Sequence, residues 1–223
     1  MSIKIGLISD PHATAAPVAD ALRIFRAQQV ECIICAGDIA GYGNELDETV
    51  RLLIENHCLC IKGNHEEWDY SSPLKNLEKE TDKKVLGEAE SWKYLASLPR
   101  TRQMMFEGVN LLVVHASPPD ALTGGIRLLD KDGQMIAEQK QYWSDYLHKF
   151  DFDVLVVGHT HQVFACELGG KLVINPGSST FNHSCAILKL PEKSVKLYSL
   201  GNQTIRSSWN WGMESQLQGR QST

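Results

Sequence analysis

Ile3-Lys4-Ile5-Gly6-Leu7-Ile8 runs without interruption into Ser9-Asp10-Pro11-His12. The first six residues form a short apolar run with β-branched members, which is the pattern of a buried strand. The polar residues begin abruptly where that strand ends. Working outward, Val18 to Gln28 carries Val18, Leu22 and Phe25 at helical spacing, and Cys32 to Cys35 reads as a second strand. Leu46 to Asn56 places Val50, Leu53 and Ile54 on one helical face, and Cys58 to Ile61 is a third strand. Strand–helix–strand–helix–strand implies a parallel sheet with right-handed crossovers, and so an α/β fold.

Beyond this unit, Glu66 to Leu98 turns polar, with the charged run Lys75 to Lys84 and a helix expected over Glu88 to Leu95. Val109 to Val114 is a fourth strand. Pro118 to Phe150 is punctuated by Pro-Pro, Gly-Gly and Asp-Gly before a helix across Met135 to His148, and Asp153 to Val157 is a fifth strand. Val163–Glu167, Lys171–Ile174, Ser184–Lys189 and Ser194–Ser199 are short runs separated by turn signals, as antiparallel strands are. Residues 1–204 are expected to form one domain, with 66–106 and 118–150 as cap or insert segments. Residues 205–223 form a polar tail, either disordered or docked through Trp209 and Trp211.

The 223 residues suffice for a substantial core without disulfide staples, at a net charge of -5 and 43% hydrophobic residues. Mild acidity argues against an extended basic face for nucleic acid. Cys32 and Cys35 have C-x-x-C spacing, but strand alternation would put them on opposite faces. All six cysteines read as small apolar residues of a reduced, cytoplasmic chain. No signal-peptide pattern opens the sequence, and no apolar run approaches the roughly 20 residues of a membrane helix.

The strand ends carry the chemistry. Strand one ends in Ser9-Asp10-Pro11-His12, strand two in Gly37-Asp38, and strand three in Gly63-Asn64-His65-Glu66. Strand four ends in His115, and strand five in Gly158-His159-Thr160-His161. Loops after the carboxyl ends of parallel strands converge on one edge. Each residue alone has a bland reading, since an Asp after a strand usually caps a turn. Together they form the ligand set of a two-metal site. Carboxylate and imidazole suit manganese, iron or zinc, and one carboxylate can bridge two cations about 3.5–4 Å apart.

The ordered series Asp-x-His, Gly-Asp, Gly-Asn-His, a single His and Gly-His-x-His spans Ile3 to about Ser179. It resembles the calcineurin-like metallophosphoesterase superfamily. Gly-Asp-Ile-Ala-Gly-Tyr-Gly at 37–43, Gly-Asn-His-Glu at 63–66 and Asn-Pro-Gly-Ser at 175–178 resemble its small prokaryotic phosphodiesterases. The resemblance implies two stacked sheets of mixed parallel and antiparallel strands flanked by helices, the second sheet coming from the C-terminal strands. It implies two divalent metals, manganese first, with iron, zinc, nickel or cobalt as alternatives. Asp10, His12 and His161 would hold one, Asn64, His115 and His159 the other, and Asp38 would bridge them. A bridging hydroxide would attack phosphorus, and His65 would assist the leaving group, which suits an imidazole near neutral pH.

The expected substrate is a small phosphodiester, with nucleotide-type and cyclic nucleotide esters included. Diadenosine polyphosphates or general phosphomonoesters are alternatives, as is a non-catalytic metal-binding scaffold. No arginine follows Gly37-Asp38, unlike the pattern of protein serine/threonine phosphatases. The first motif departs from many relatives, with Ala13-Thr14 in place of Gly-Asn, which restricts that turn. Tyr42 and Asn44 in the loop after Asp38, and Arg127 in the 118–150 segment, are candidate substrate contacts, each against the alternative of an ordinary surface residue. Asn175 is a candidate hydrogen-bond support for the ligand loops. Trp68, Tyr70, Trp92, Tyr142 and Trp143 could stack on a base or simply pack.

Overall fold

The computed structural model describes residues 2–69 and 83–209. Its first half runs β1 (Ile3–Ile8), α1 (Ala15–Ala27), β2 (Cys32–Cys35), α2 (Leu46–Glu55), β3 (Leu59–Cys60), α3 (Asn64–Asp69) and α4 (Lys83–Ser97). The second runs β4 (Thr101–Phe106), β5 (Val109–Val114), α5 (Ala137–Leu147), β6 (Val154–Val156), β7 (Val163–Leu168), β8 (Lys171–Pro176), β9 (Ser184–Leu190) and β10 (Ser194–Ser199). Among the described residues, no helix is long and apolar enough to cross a membrane. Tyr70, Trp211 and most of the Lys75–Lys84 run lie outside the described residues.

One sheet has the order β10-β9-β1-β2-β3 and the other β4-β5-β6-β8-β7. β1 pairs parallel with β2, from Ile5 opposite Cys32 to Ile8 opposite Cys35, as the opening pattern implies. In the second sheet β5, β6 and β8 are parallel. Ile5, Leu7, Ile34 and Leu188 of the first sheet and Leu111, Val113, Val154 and Ile174 of the second share one buried cluster, so the sheets stack on these faces. The outer face of the first sheet carries α1, α2 and α4 through Val18, Phe25, Leu53, Trp92 and Leu95. The outer face of the second carries α5 through Trp143 and Leu147. Sequestering this apolar surface is the main driving term for the fold, at about 25 cal/mol per Å².

The division of strands differs from the sequence expectation. The fourth and fifth strands read from the sequence, β5 and β6, belong to the second sheet. Of the C-terminal strands only β7 and β8 join them, while β9 and β10 return to the first sheet. β9 is buried on both faces except at Lys189, so it needs a central position, and it takes one between β1 and β10. β4 was not apparent from the sequence. Thr101–Phe106 forms a half-exposed edge strand joined to β5 through Glu107 and Gly108, both at positive φ (48° and 78°), the signature of a tight type I′ hairpin. The six cysteines are free. Cys32 packs towards the inter-sheet core and Cys35 towards the helices, so the C-x-x-C pair does point to opposite faces.

Candidate metal centre

The carboxyl ends of both sheets meet along one edge, and backbone hydrogen bonds tie them together. Asp10 N–H donates to Gly37 O (3.0 Å), His12 N–H to Asp38 O (3.0 Å), and Gly158 N–H to His115 O (2.8 Å). His159 N–H donates to the Asp10 carboxylate (3.1 Å), and His115 Nδ1 lies 2.7 Å from Ala36 O. Asp10, His12, Asp38, His159 and His161 all hold left-handed φ angles between 47° and 63°. Such backbone costs on the order of 1–3 kcal/mol per residue and persists where surrounding contacts over-determine it, characteristically at functional sites. Ala13 adopts φ 54°, so the turn takes a left-handed form despite the Cβ.

Three groups of side chains bring ligand atoms within 4.8 Å of one another: Asp10, His12 and His161; His12, Asp38 and His65; and Asp38, His115 and His159. His12 Nε2 lies 3.0 Å from His161 Nε2, and His115 Nε2 lies 3.3 Å from Asp38 Oδ2. Asn64 directs its amide into the third group, where Oδ1 sits 3.2 Å from His115 Nε2. Its other neighbours there, His159 Nδ1 and Asp38 Oδ2, are acceptors. Turned over, the amide would donate to His159 Nδ1 (2.8 Å) and Asp38 Oδ2 (3.3 Å) instead. With oxygen inward, the Asn64 carbonyl stands among the acceptor atoms of His159 and Asp38, an arrangement that a cation would satisfy. The donor set therefore fits divalent metals bound through carboxylate, imidazole and amide oxygen.

The electrostatics point the same way. Burial opposes the ionisation of Asp10, yet its hydrogen bond to His161 and the neighbouring imidazoles hold its carboxyl well below the usual range. Burial likewise opposes Asp38, and His115 outweighs it, so the Asp38 carboxyl is also lowered. Burial alone would lower His115, but Asp38 and Asp10 raise it to about 10. His12 and His159 are pushed down to about 4, in each case chiefly by burial. The site is a buried negative well: it keeps His12 and His159 neutral, the form in which imidazole binds metal, and draws onto His115 a proton that a metal would displace on binding.

A sequence model described as the calcineurin-like phosphoesterase superfamily domain matches residues 3–193. The chain belongs to the calcineurin-like phosphoesterase superfamily. An uncharacterized protein of Methanocaldococcus jannaschii is 27% identical over 186 residues, covering 78% of this chain and 68% of its own length. A hypothetical protein from Pyrococcus horikoshii shares the fold at TM-score 0.70 and 15% identity, over 98% of this chain and 94% of the other. A metallophosphoesterase from Sphaerobacter thermophilus does so at TM-score 0.62 and 21% identity, over 99% and 94%. Membership of the superfamily implies divalent metals.

Within this superfamily frame, several supporting residues escaped the sequence reading. Glu66 is buried, and its carboxylate accepts from Asp38 N–H (3.0 Å), Ala40 N–H (2.8 Å) and Gly63 N–H (2.6 Å). It clamps the loops after β2 and β3 together. Burial, and then the charge of Asp38, push it up to about 7. Its position in Gly-Asn-His-Glu, two residues past Asn64, was the available signal. Ser9 Oγ donates to the Asp10 carboxylate (2.5 Å), and Ser178 Oγ to Asp10 O (2.6 Å).

Gly63 is required for another reason: a Cβ there would overlap Asp38 Oδ1 and Asp38 N. Gly63→Ala is therefore expected to push the Asp38 loop aside. A stability loss of about 1–3 kcal/mol should accompany reduced metal content. Thermal unfolding and elemental analysis check this, and wild-type values for both would show that the loops yield freely.

The C-terminal strap lies beyond the matched region and still builds the site. Val163 N–H donates to Ser207 O (2.8 Å) and Trp209 N–H to His161 O (3.0 Å), while Ser208 bridges to Gln162. Trp209 is 3% exposed and stacks on Phe181 at 4.0 Å and 6°. Phe181 in turn lies against His12 and His161, each at 5.4 Å between ring centroids. The Asn182 amide donates to His161 O (3.0 Å) and Arg206 O (2.6 Å). Of the two sequence expectations for the tail, docking through Trp209 is what the structure describes.

A cavity of about 210 Å³ opens over the centre, lined by His12, Asp38, Asn64, His65, His159 and His161, with Tyr42, Trp68, Arg127, Thr160 and Trp209 around them. Tyr42 and Arg127 thus reach the cavity, whereas Asn44 is exposed and does not line it. Asn175 is buried behind the centre, where its amide donates to Gly158 O (3.0 Å) and Thr160 Oγ1 (3.1 Å) and holds the loop between His159 and His161. Trp92 and Trp143 pack in the helix layers, away from the cavity.

Proposed function

We propose that the chain is a two-metal phosphoesterase that hydrolyses small phosphodiesters. The observation that carries this reading is that Asp38 belongs to two of the ligand-atom groups, one with His115 and His159 and one with His12 and His65. A carboxylate so placed is suited to bridging. Asp10, His12 and His161 would hold one cation, and Asn64, His115 and His159 the other. Two such cations, when bound, neutralise phosphate charge and lower the pKa of a coordinated water.

The chain's own residues do the rest. Asp38 and Glu66 fix the two loops relative to each other. His65, whose N–H donates to Asp38 Oδ1 (2.9 Å), is anchored beside the ligands without being needed to complete either metal set. It is placed to give a proton to the departing oxygen. Among the described residues lining the cavity, Arg127 is the lone lysine or arginine, which suits a diester monoanion better than a monoester dianion.

The test is hydrolysis of bis-p-nitrophenyl phosphate beside p-nitrophenyl phosphate, by metal-stripped protein reloaded with manganese. Faster diester cleavage is expected. Monoester preference would reassign the enzyme as a phosphatase, and no turnover of either by the metal-loaded protein would favour a binding role for the fold.

A further inference from the structure

His65 stands between solvent and metal ligands in the company of two large aromatic rings. Its ring centroid lies 4.8 Å from that of Tyr42, at 75°, and 5.8 Å from that of Trp68, at 53°. Both rings line the cavity, yet Tyr42 is 52% exposed and Trp68 58% exposed. They arrive from different elements. Tyr42 comes from the loop after β2, and Trp68 follows Asn64 by four residues on α3, the spacing that puts two side chains on one helix face. Large apolar rings left in water at the mouth of a polar site mark a place for apolar contact.

Resting on the phosphoesterase reading, we propose that Tyr42 and Trp68 form an aromatic subsite for a planar leaving group, either an aryl alcohol or the base of a nucleoside. The argument is one of direction. A phosphate seated over Asp38, Asn64, His159 and His161 that protonates its departing oxygen from His65 must send that oxygen's substituent towards His65. The groups it meets there are Tyr42 and Trp68. Arg127 and Thr160 also line the cavity and supply the polar part of its wall. A flat substituent gains stacking from this arrangement that a small alkyl group cannot.

Calorimetry on manganese-loaded protein tests the subsite without turnover. Phenylphosphonate is compared with methylphosphonate, and the non-hydrolysable methylenephosphonate analogue of adenosine monophosphate with that of ribose 5-phosphate. Stacking on aromatic side chains predicts that the planar member of at least one pair binds about 5- to 150-fold more tightly. In Trp68→Ala and Tyr42→Ala that ratio should fall towards unity while the affinity for methylphosphonate is kept. Trp68→Phe should restore much of it. Preference in the phenyl pair alone assigns the subsite to aryl esters, and preference in both pairs extends it to nucleosides. Equal affinities in both pairs, or ratios that survive both alanine substitutions, overturn the proposal. If the ratios behave as expected but neither nitrophenyl ester is turned over, the subsite stands and the hydrolase reading fails.

Discussion

His65→Ala is expected to lower kcat by about 10²–10⁴-fold, the range typical for loss of a positioned general acid. The loss should be greatest for esters with poor leaving groups, because a departing alkoxide needs the proton and a departing nitrophenolate does not. His65 also lies in a ligand-atom group with His12 and Asp38, so the alternative that it binds metal has a geometric basis. Metal content separates the two. Under the acid role, elemental analysis finds wild-type loading in the variant. A parallel fall in loading and turnover would make His65 a ligand, and full rate on a poor-leaving-group ester would remove it from the chemistry.

Asp38→Asn should act earlier, on the centre itself. Replacing one member of a buried, charged cluster by a neutral isostere removes the charge and one of the oxygens proposed to bridge the metals. The loss of metal affinity should exceed the roughly 10–100-fold that loss of an outer-shell partner costs. Retention of full metal content after dialysis would count against the bridge.

The same variant carries a pH signature in the metal-free protein. His115 is raised from 6.5 to about 10, against its burial, largely by Asp38. A group raised in the folded state stabilises that state fully below its unfolded value. The stabilisation is then lost as pH climbs towards the folded value. In metal-free wild type, the contribution of this pair is therefore complete below about pH 6.5 and fades towards about 10. Without the Asp38 charge, burial should prevail and His115 should lose its proton at far lower pH, a change visible in its NMR titration.

Much of this centre could be read from the chain because apolar runs stop abruptly at polar residues. Ile8 to Asp10, Val114 to His115 and Val157 to His159 mark where buried strands reach the sheet edge, and the side chains that follow have nowhere else to go. The partition of strands between sheets was hidden for a physical reason. The pattern of Ser184–Leu190 declares a strand buried on both faces, and either sheet could offer such a place. Only the pairing of Gly6 with Ile187 and Leu7 with Ala186 decides it. Glu66 went unassigned because, beyond its place in Gly-Asn-His-Glu, a carboxylate that caps backbone N–H groups follows no spacing rule. Trp209 was ambiguous because its partner, Phe181, is a contact that no local period encodes.

The strap has a consequence for how the molecule comes into being. Domains emerge from the ribosome with the N-terminus first, and folding follows that order. The candidate ligands, from Asp10 to His161, are all synthesised before the segment containing Trp209 that hydrogen-bonds to His161 and braces Phe181 against it. During translation the sheets can assemble while His161 still lacks its brace. The brace on His161, and with it the proposed metal site at that position, is thus completed only after the strands of both sheets have been made.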